Sequence, residues 1–155
     1  MRRSKKRASA EQTEMMLRSG KVLYLALADG NIPYVVPMSY GYRDGVIYMH
    51  CANEGRKLDM LKKNAEAAFS IVPSCELIKK DTSCGWTFNF ESVSGSGNVE
   101  FVTDAEGKRA ALNVLMEHYG KFDNSYPDEM MDVTCVLKLT VKECSGKISP
   151  APSVL

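Results

Sequence analysis

Apolar positions recur along this chain with two different periods. Leu112, Leu115, Met116 and Tyr119 fall at i, i+3, i+4 and i+7, one face of a helix. Thr103 and Glu106 ahead of them have capping-box spacing, and Gly120 supplies the stop. A shorter helix opens at Ser9, three residues before Gln12, and ends at Gly20. The remaining apolar runs are brief, rich in β-branched and aromatic residues, and bounded by turn residues, which is strand patterning. Residues 21–28 predict a first strand, turning at Asp29-Gly30-Asn31 into a second over 33–42. Arg43-Asp44-Gly45 reads as a hairpin turn, with 46–51 as its return. Residues 67–72 predict a fourth strand stopped by Pro73. Residues 86–93 and 98–102, separated by Gly95 and Gly97, predict a further hairpin. Residues 133–141 give the last long strand, 121–132 a loop, and 148–155 a Pro- and Ser-containing tail. Antiparallel strands interrupted by two or three short helices make the fold mainly β, a β-barrel with α insertions.

Composition narrows this to one domain. The chain has 155 residues, 45% hydrophobic and 25% charged, with a net charge of +1, enough to bury a core and too neutral to leave an overall footprint for nucleic acid. The expected domain is 10–147, with 1–9 a basic flexible tail carrying Arg2-Arg3-Ser4-Lys5-Lys6-Arg7 and 148–155 a C-terminal tail. No apolar run follows those cations and none is long enough to span a bilayer, so the expected location is cytoplasmic with no membrane partner. Five cysteines, at 51, 75, 84, 135 and 144, contain no Cys-x-x-Cys pair. A disulfide framework or a bound metal is therefore not expected. Cys51, Cys135 and Cys144 lie in strand-like runs and read as small buried residues. Trp86 is assigned to the core, and His118 to the surface or its boundary.

Chemistry concentrates in residues 53–64. Asn53 is placed to cap a helix, Leu58 and Leu61 mark its apolar face, and Asn64 offers a left-handed stop. Arg56 and Lys57 then fall in the first turn, where the helix dipole already presents about half a positive charge. Two cations, unpaired N–H groups and the dipole converging beside Gly55 describe a phosphate site. His50, one of two histidines, lies on the strand end just before it, where a group titrating near neutrality could move a proton.

Pro33-Tyr34-Val35-Val36-Pro37, the Tyr-x-His of residues 48–50, Gly55-Arg56-Lys57, and the run Trp86-Thr87-Phe88-Asn89-Phe90-Glu91-Ser92-Val93 with Gly95 and Gly97 together resemble the pyridoxamine 5'-phosphate oxidase-like family over residues 10–147. Within it, the nitroimidazole-resistance-like branch is the best match. The resemblance implies an FMN-binding split β-barrel, Greek-key antiparallel, assembled as a homodimer with flavin at the subunit interface. Val36, Pro37, Met38 and Ser39 would then run along the isoalloxazine edge, and Met49 and His50 would lie near the ribityl chain and flavin face. Arg56 and Lys57 would grip the phosphate. Ser92 would stand where a glutamine often contacts the ring, its shorter side chain suggesting a water bridge. A small barrel has little interior for a tricyclic ring, so a second copy supplying another wall agrees with this.

True oxidases of vitamin B6 end in a segment carrying tryptophan and arginine. Neither follows Cys144 here, which argues against that substrate. The branch implies instead a flavin-dependent oxidoreductase reducing a small flat acceptor such as a nitroaromatic, with His50 the candidate catalytic residue. Two other readings stay open: a flavin carrier or sensor without turnover, and a split barrel that holds haem or a deazaflavin.

Overall fold

The structure, a computed structural model, describes residues 6–150. Helix α1, Ala10–Ser19, starts as its sequence predicts: Ser9 Oγ accepts from the Gln12 N–H at 3.1 Å while Gln12 Oε1 accepts from the Ser9 N–H at 2.8 Å. Strands β1, Leu23–Asp29, and β2, Ile32–Met38, follow, joined through Gly30-Asn31. The predicted strand over 33–42 is in fact two. It breaks at Ser39-Tyr40, and the remainder forms β3, Gly41–Arg43, which makes the hairpin with β4, Val46–Ala52. Asp44 and Gly45 both have positive φ, 50° and 79°, the geometry of a two-residue Asp-Gly hairpin turn.

Helix α2 spans Arg56–Lys63, β5 Glu66–Ile78, β6 Thr87–Val102, α3 Ala105–His118, α4 Asp128–Asp132 and β7 Thr134–Ser149. Several expected boundaries move. Pro73 does not end the fourth strand, because a register shift between Ile71 and Ser74 absorbs it and β5 continues. Gly95 and Gly97 do not turn the chain: residues 87–102 are one strand paired on both sides. The α3 cap is Asp104, whose carboxylate accepts from the Gly107 N–H at 2.7 Å, one residue beyond the expected Thr103. The expected loop 121–132 contains α4. At the ends, Arg7 bridges to Lys147, inside the expected N-terminal tail, and Ile148 and Ser149 belong to β7, inside the expected C-terminal one, so the fold reaches into both. Residues 1–5 and 151–155 of those tails lie outside the described residues.

All strands belong to one antiparallel sheet in the order β2-β1-β5-β6-β7-β4-β3. Its two edges are β2 and β3, yet these are consecutive in the chain and separated only by Ser39 and Tyr40. Three peptide steps reach at most about 11 Å, so the sheet must roll until its edges nearly meet. They approach without a ladder between them, and this gap is the split of a split β-barrel. Pro33 and Pro37 are tolerated because β2 is an edge that needs no second set of donors.

Alternation fills the interior. Leu23, Leu25 and Leu27 of β1 meet Ile47 and Met49, Phe69 and Ile71, Val93, Leu137 and Leu139. Helices α1 and α2 close it with Met16 and Leu17, and with Leu58, Met60 and Leu61. Helix α3 packs outside over β3 and β4, with Ala111 and Leu112 against Met131 and Val136. A Cβ on Gly41 would come within 2.4 Å of the Leu115 Cα, so only glycine lets β3 lie this close to α3. Tyr40 pins the crossing between edges: fully buried, its hydroxyl donates to the Leu17 carbonyl at 2.8 Å and its N–H donates to Tyr119 Oη at 3.1 Å. Trp86 departs from the expected core position. It is 50% exposed, its indole N–H donating to the Lys80 carbonyl at 2.8 Å. Cys144 is likewise exposed. Among the described residues, no helix is long and apolar enough to cross a membrane.

Candidate functional site

The start of α2 is built to leave its backbone donors free. Asn53 does not cap it: its amide donates instead to the Asp132 carbonyl at 2.7 Å. Gly55 holds the cap position at φ 125°, ψ 162°, with no side-chain hydrogen bond to the helix start, and this φ is open only to glycine at low cost. A Cβ there would meet nothing within 4 Å, so the space in front of the helix is open. At the other end, Asn64 is extended, with φ –144°, rather than left-handed.

The cations of this helix divide by position. At its end, Lys63 reaches Asp29 at 2.6 Å and Lys62 lies 3.9 Å from Asp59. At its start, Arg56 and Lys57 make no ion pair among the described residues. The Arg56 guanidinium sits 4.9 Å over the Tyr34 ring, and the Lys57 ammonium donates to Met38 Sδ at 3.2 Å. Aromatic face and thioether hold the side chains in place without neutralising them. An uncapped dipole with two unneutralised cations is a poor arrangement for a helix alone and a good one for a phosphate monoester.

Lys57 gathers the neighbouring elements. Through Met38 it touches the end of β2, so the exposed Ser39 lies at the same rim. Its charge also reaches His50 on β4. Burial first, and then the Lys57 ammonium, hold the imidazole below its ordinary value of 6.5. Near neutral pH His50 is accordingly a mostly neutral ring, offering one N–H and one free nitrogen rather than a full positive charge.

Not all of the expected residues converge. Met38, Ser39, His50, Arg56 and Lys57 share the rim, and Pro37 is exposed beside it on β2. Val36 is half-buried against the core. Met49 is 1% exposed with its side chain inside the barrel, so only its backbone can face a ligand. Ser92 lies on β6. Met38 pairs with Leu23, Leu23 with Ile71, and Ile71 with Val93, so Ser92 is three strands from Met38 along the sheet, roughly 14 Å measured along the ladder.

Tyr34 joins the site as the ring beneath Arg56, a role not expected from the sequence. Its signal was present in the alternation, because Tyr34, Val36 and Met38 fall on one side of β2 and that side meets α2. Cys51 and Cys135 are directly opposed on β4 and β7, a relation between distant positions that no local pattern encodes. His118 is at the boundary as expected, its Nε2 2.6 Å from the Gly20 carbonyl oxygen and its ring tilted against Tyr40.

Known proteins resemble this chain over most of its length. A family model described as pyridoxamine 5'-phosphate oxidase matches residues 9–148. Among solved structures, a candidate 5-nitroimidazole antibiotic resistance protein from Bacteroides thetaiotaomicron is 31% identical, with a TM-score of 0.80 over 90% of this chain and 84% of that one. An FAD- and haem-binding protein from Mycobacterium smegmatis superposes with a TM-score of 0.81 at 21% identity, over 94% of this chain and 74% of that one. An FAD-binding protein from Mesorhizobium loti gives 0.65 at 22% identity, over 90% and 94%. The last two likenesses establish the fold alone. No curated protein matches the chain.

Proposed function

The chain belongs to the pyridoxamine 5'-phosphate oxidase family, in its nitroimidazole-resistance-like branch, and from that premise we propose that it binds FMN and acts as an oxidoreductase on a small flat acceptor such as a nitroaromatic. The observation that carries the cofactor assignment is the contrast along α2: cations paired with carboxylates at its end, and none so paired at its start. Such a start stabilises a dianionic phosphate.

Within this reading each residue has a task. Arg56 and Lys57 bind the phosphate, and Gly55 keeps its approach clear. The backbone of Val36, Pro37, Met38 and Ser39 offers groups along a sheet edge, where Pro33 and Pro37 block invasion by a further strand while single donors and acceptors remain available to a ring. Met49 contributes through its backbone, and His50 holds or transfers a proton at the exposed rim. When bound, the flavin supplies the hydride and electron chemistry, and the protein supplies orientation and access.

The same reading includes a homodimer. The outer face of β2, β1 and β5 carries Val35, 63% exposed, with Tyr24 and Val72 also exposed, an apolar surface beside the rim of the kind that marks an association site. A second copy there would shield the ring from water and could bring its Ser92 within reach of the cradle.

The test is the absorption spectrum of the purified protein and the mass of the cofactor released on denaturation, followed by reduction of a nitroaromatic with a reduced nicotinamide as donor. FMN with turnover supports the whole reading, FMN without turnover leaves a carrier, and a haem or deazaflavin spectrum overturns the cofactor assignment.

A further inference from the structure

Cys51 of β4 and Cys135 of β7 are directly opposed across an antiparallel ladder. Residues so paired have Cα atoms about 4.5–5.5 Å apart, inside the about 4.4–6.8 Å that a disulfide bridges. Both are free cysteines, and Cys51 is near enough to act on the titration of the Cys135 thiol. Their surroundings differ. Cys51 is half-buried near the strand end, directly after His50, and packs against the core. Cys135 is buried and forms part of the wall of a cavity of about 280 Å³ that it shares with Leu58, Phe101 and Lys108. Burial and the neighbouring Cys51 push the Cys135 thiol up to about 11, while the Lys108 and Lys57 ammonium groups pull the other way. Of the two, Cys51 is the less buried and Cys135 stands behind it.

We propose that Cys51 and Cys135 form a reversible dithiol–disulfide couple in the wall of the cradle, closed by low-molecular-weight disulfides. The Cys51 thiolate attacks one sulfur of the small disulfide, forming a mixed disulfide and releasing one small thiolate. That thiolate takes up a proton. Cys135 gives up its own proton and attacks Cys51 Sγ, the bond to the second small thiol breaks, and the second small thiolate is protonated. In balance, the pair loses two protons and two electrons, and the small disulfide leaves as two thiols. The bond ties the end of β4 to β7 immediately after His50 and ahead of Gly55, so closure stiffens the strand end from which the cradle is built. None of this requires a bound flavin, so it goes beyond the proposed activity and is tested apart from it.

The experiment uses the reduced full-length protein incubated with oxidised glutathione, quenched in acid, blocked with N-ethylmaleimide and digested for mass spectrometry. The expected product is a peptide pair joined through Cys51 and Cys135 that dithiothreitol separates. The Cys135→Ser variant should stop at a glutathione adduct on Cys51. Glutathione retained on Cys51 of the unmutated protein with Cys135 still free, a link confined to Cys75, Cys84 or Cys144, or no reaction would each overturn the proposal. The mapping on unmutated protein needs no variant to fold. The His50 ring proton resonances should shift on closure and return on reduction, and resonances that stay fixed while the disulfide forms would overturn the connection to the cradle.

Discussion

Replacing Arg56 and Lys57 by alanine should cost the protein its preference for FMN over riboflavin. Each side chain is positioned for one charge-assisted contact with a phosphate, worth roughly 1.5–3 kcal/mol, so losing both removes about 3–6 kcal/mol at most, or roughly 10²- to 10⁴-fold in affinity. The rim is open to solvent and the N–H groups of α2 remain, which favours the lower end, about a hundredfold. Riboflavin has no phosphate and should bind both proteins alike.

The flavin-free protein should respond in the opposite direction, because cations at a helix start oppose the dipole by about 0.3–1 kcal/mol each. Lys57, whose contact is a thioether, should be a net burden: Lys57→Ala should raise the melting temperature by roughly 1–4 °C, at ~2–4 °C per kcal/mol for a chain of this size. For Arg56 the Tyr34 ring returns ~0.5–1 kcal/mol, so Arg56→Ala should be nearly neutral. Fluorescence titration with both flavins and thermal melts of stripped protein measure the two effects. Equal affinity for FMN and riboflavin in the unmutated protein would refute the phosphate assignment, and destabilisation by Lys57→Ala would refute the claim that the site is held at a cost to the fold.

His50→Asn should keep FMN bound while lowering nitroaromatic turnover by roughly 10²-fold, and an unchanged rate in a flavin-loaded variant would remove the catalytic role. Because the folded chain holds His50 below 6.5, it binds fewer protons there than the unfolded chain. Its stability contribution is therefore complete above about pH 6.5 and is lost as pH falls through the depressed value; melts of the unmutated protein and His50→Asn across that window should diverge only on the acidic side. Val35→Glu should leave the monomer fold nearly unchanged, since the side chain is exposed, but should split the proposed dimer by burying a charge, with flavin lost alongside. Sedimentation detects both, and a monomer retaining stoichiometric flavin would refute the interface. Gly55→Ala places an L-residue at φ 125° and should cost about 1–3 kcal/mol in denaturant unfolding, although its Cβ would meet no protein atom.

Local signals in the chain were sufficient wherever the controlling interaction is local. The Ser9–Gln12 capping box spans four residues, the Asp44-Gly45 turn two, and the helical face of α3 recurs within its own fourteen residues, so each could be read directly. The crowding of Arg56 and Lys57 at a helix start was legible for the same reason: the dipole and the charges belong to one turn of one helix. The family resemblance extended this to the barrel class.

What failed was decided by partners distant in sequence. Gly95 and Gly97 look like turn residues, but β5 and β7 pair with them on both sides and keep β6 one continuous strand despite a register shift at Ser96-Gly97, because ladder hydrogen bonds outweigh the glycines' weak preference. Asn53 has a capping side chain, but the Asp132 carbonyl claims it, leaving Gly55 at the cap and the helix donors free. The break at Ser39-Tyr40 follows from Tyr40 filling a buried space between α1 and α3. Ser92 belongs to the ladder three strands from Met38, and Cys51 meets Cys135 only because β4 and β7 pair in that register. The sequence therefore determined which stretches are extended, the caps formed within one turn and the two cations gathered at the start of α2. Tertiary structure decided which cations stay unpaired, which thiols face each other and how far the edges of the sheet are from closing, since these depend on side chains and ladders that only long-range packing brings within a few ångströms.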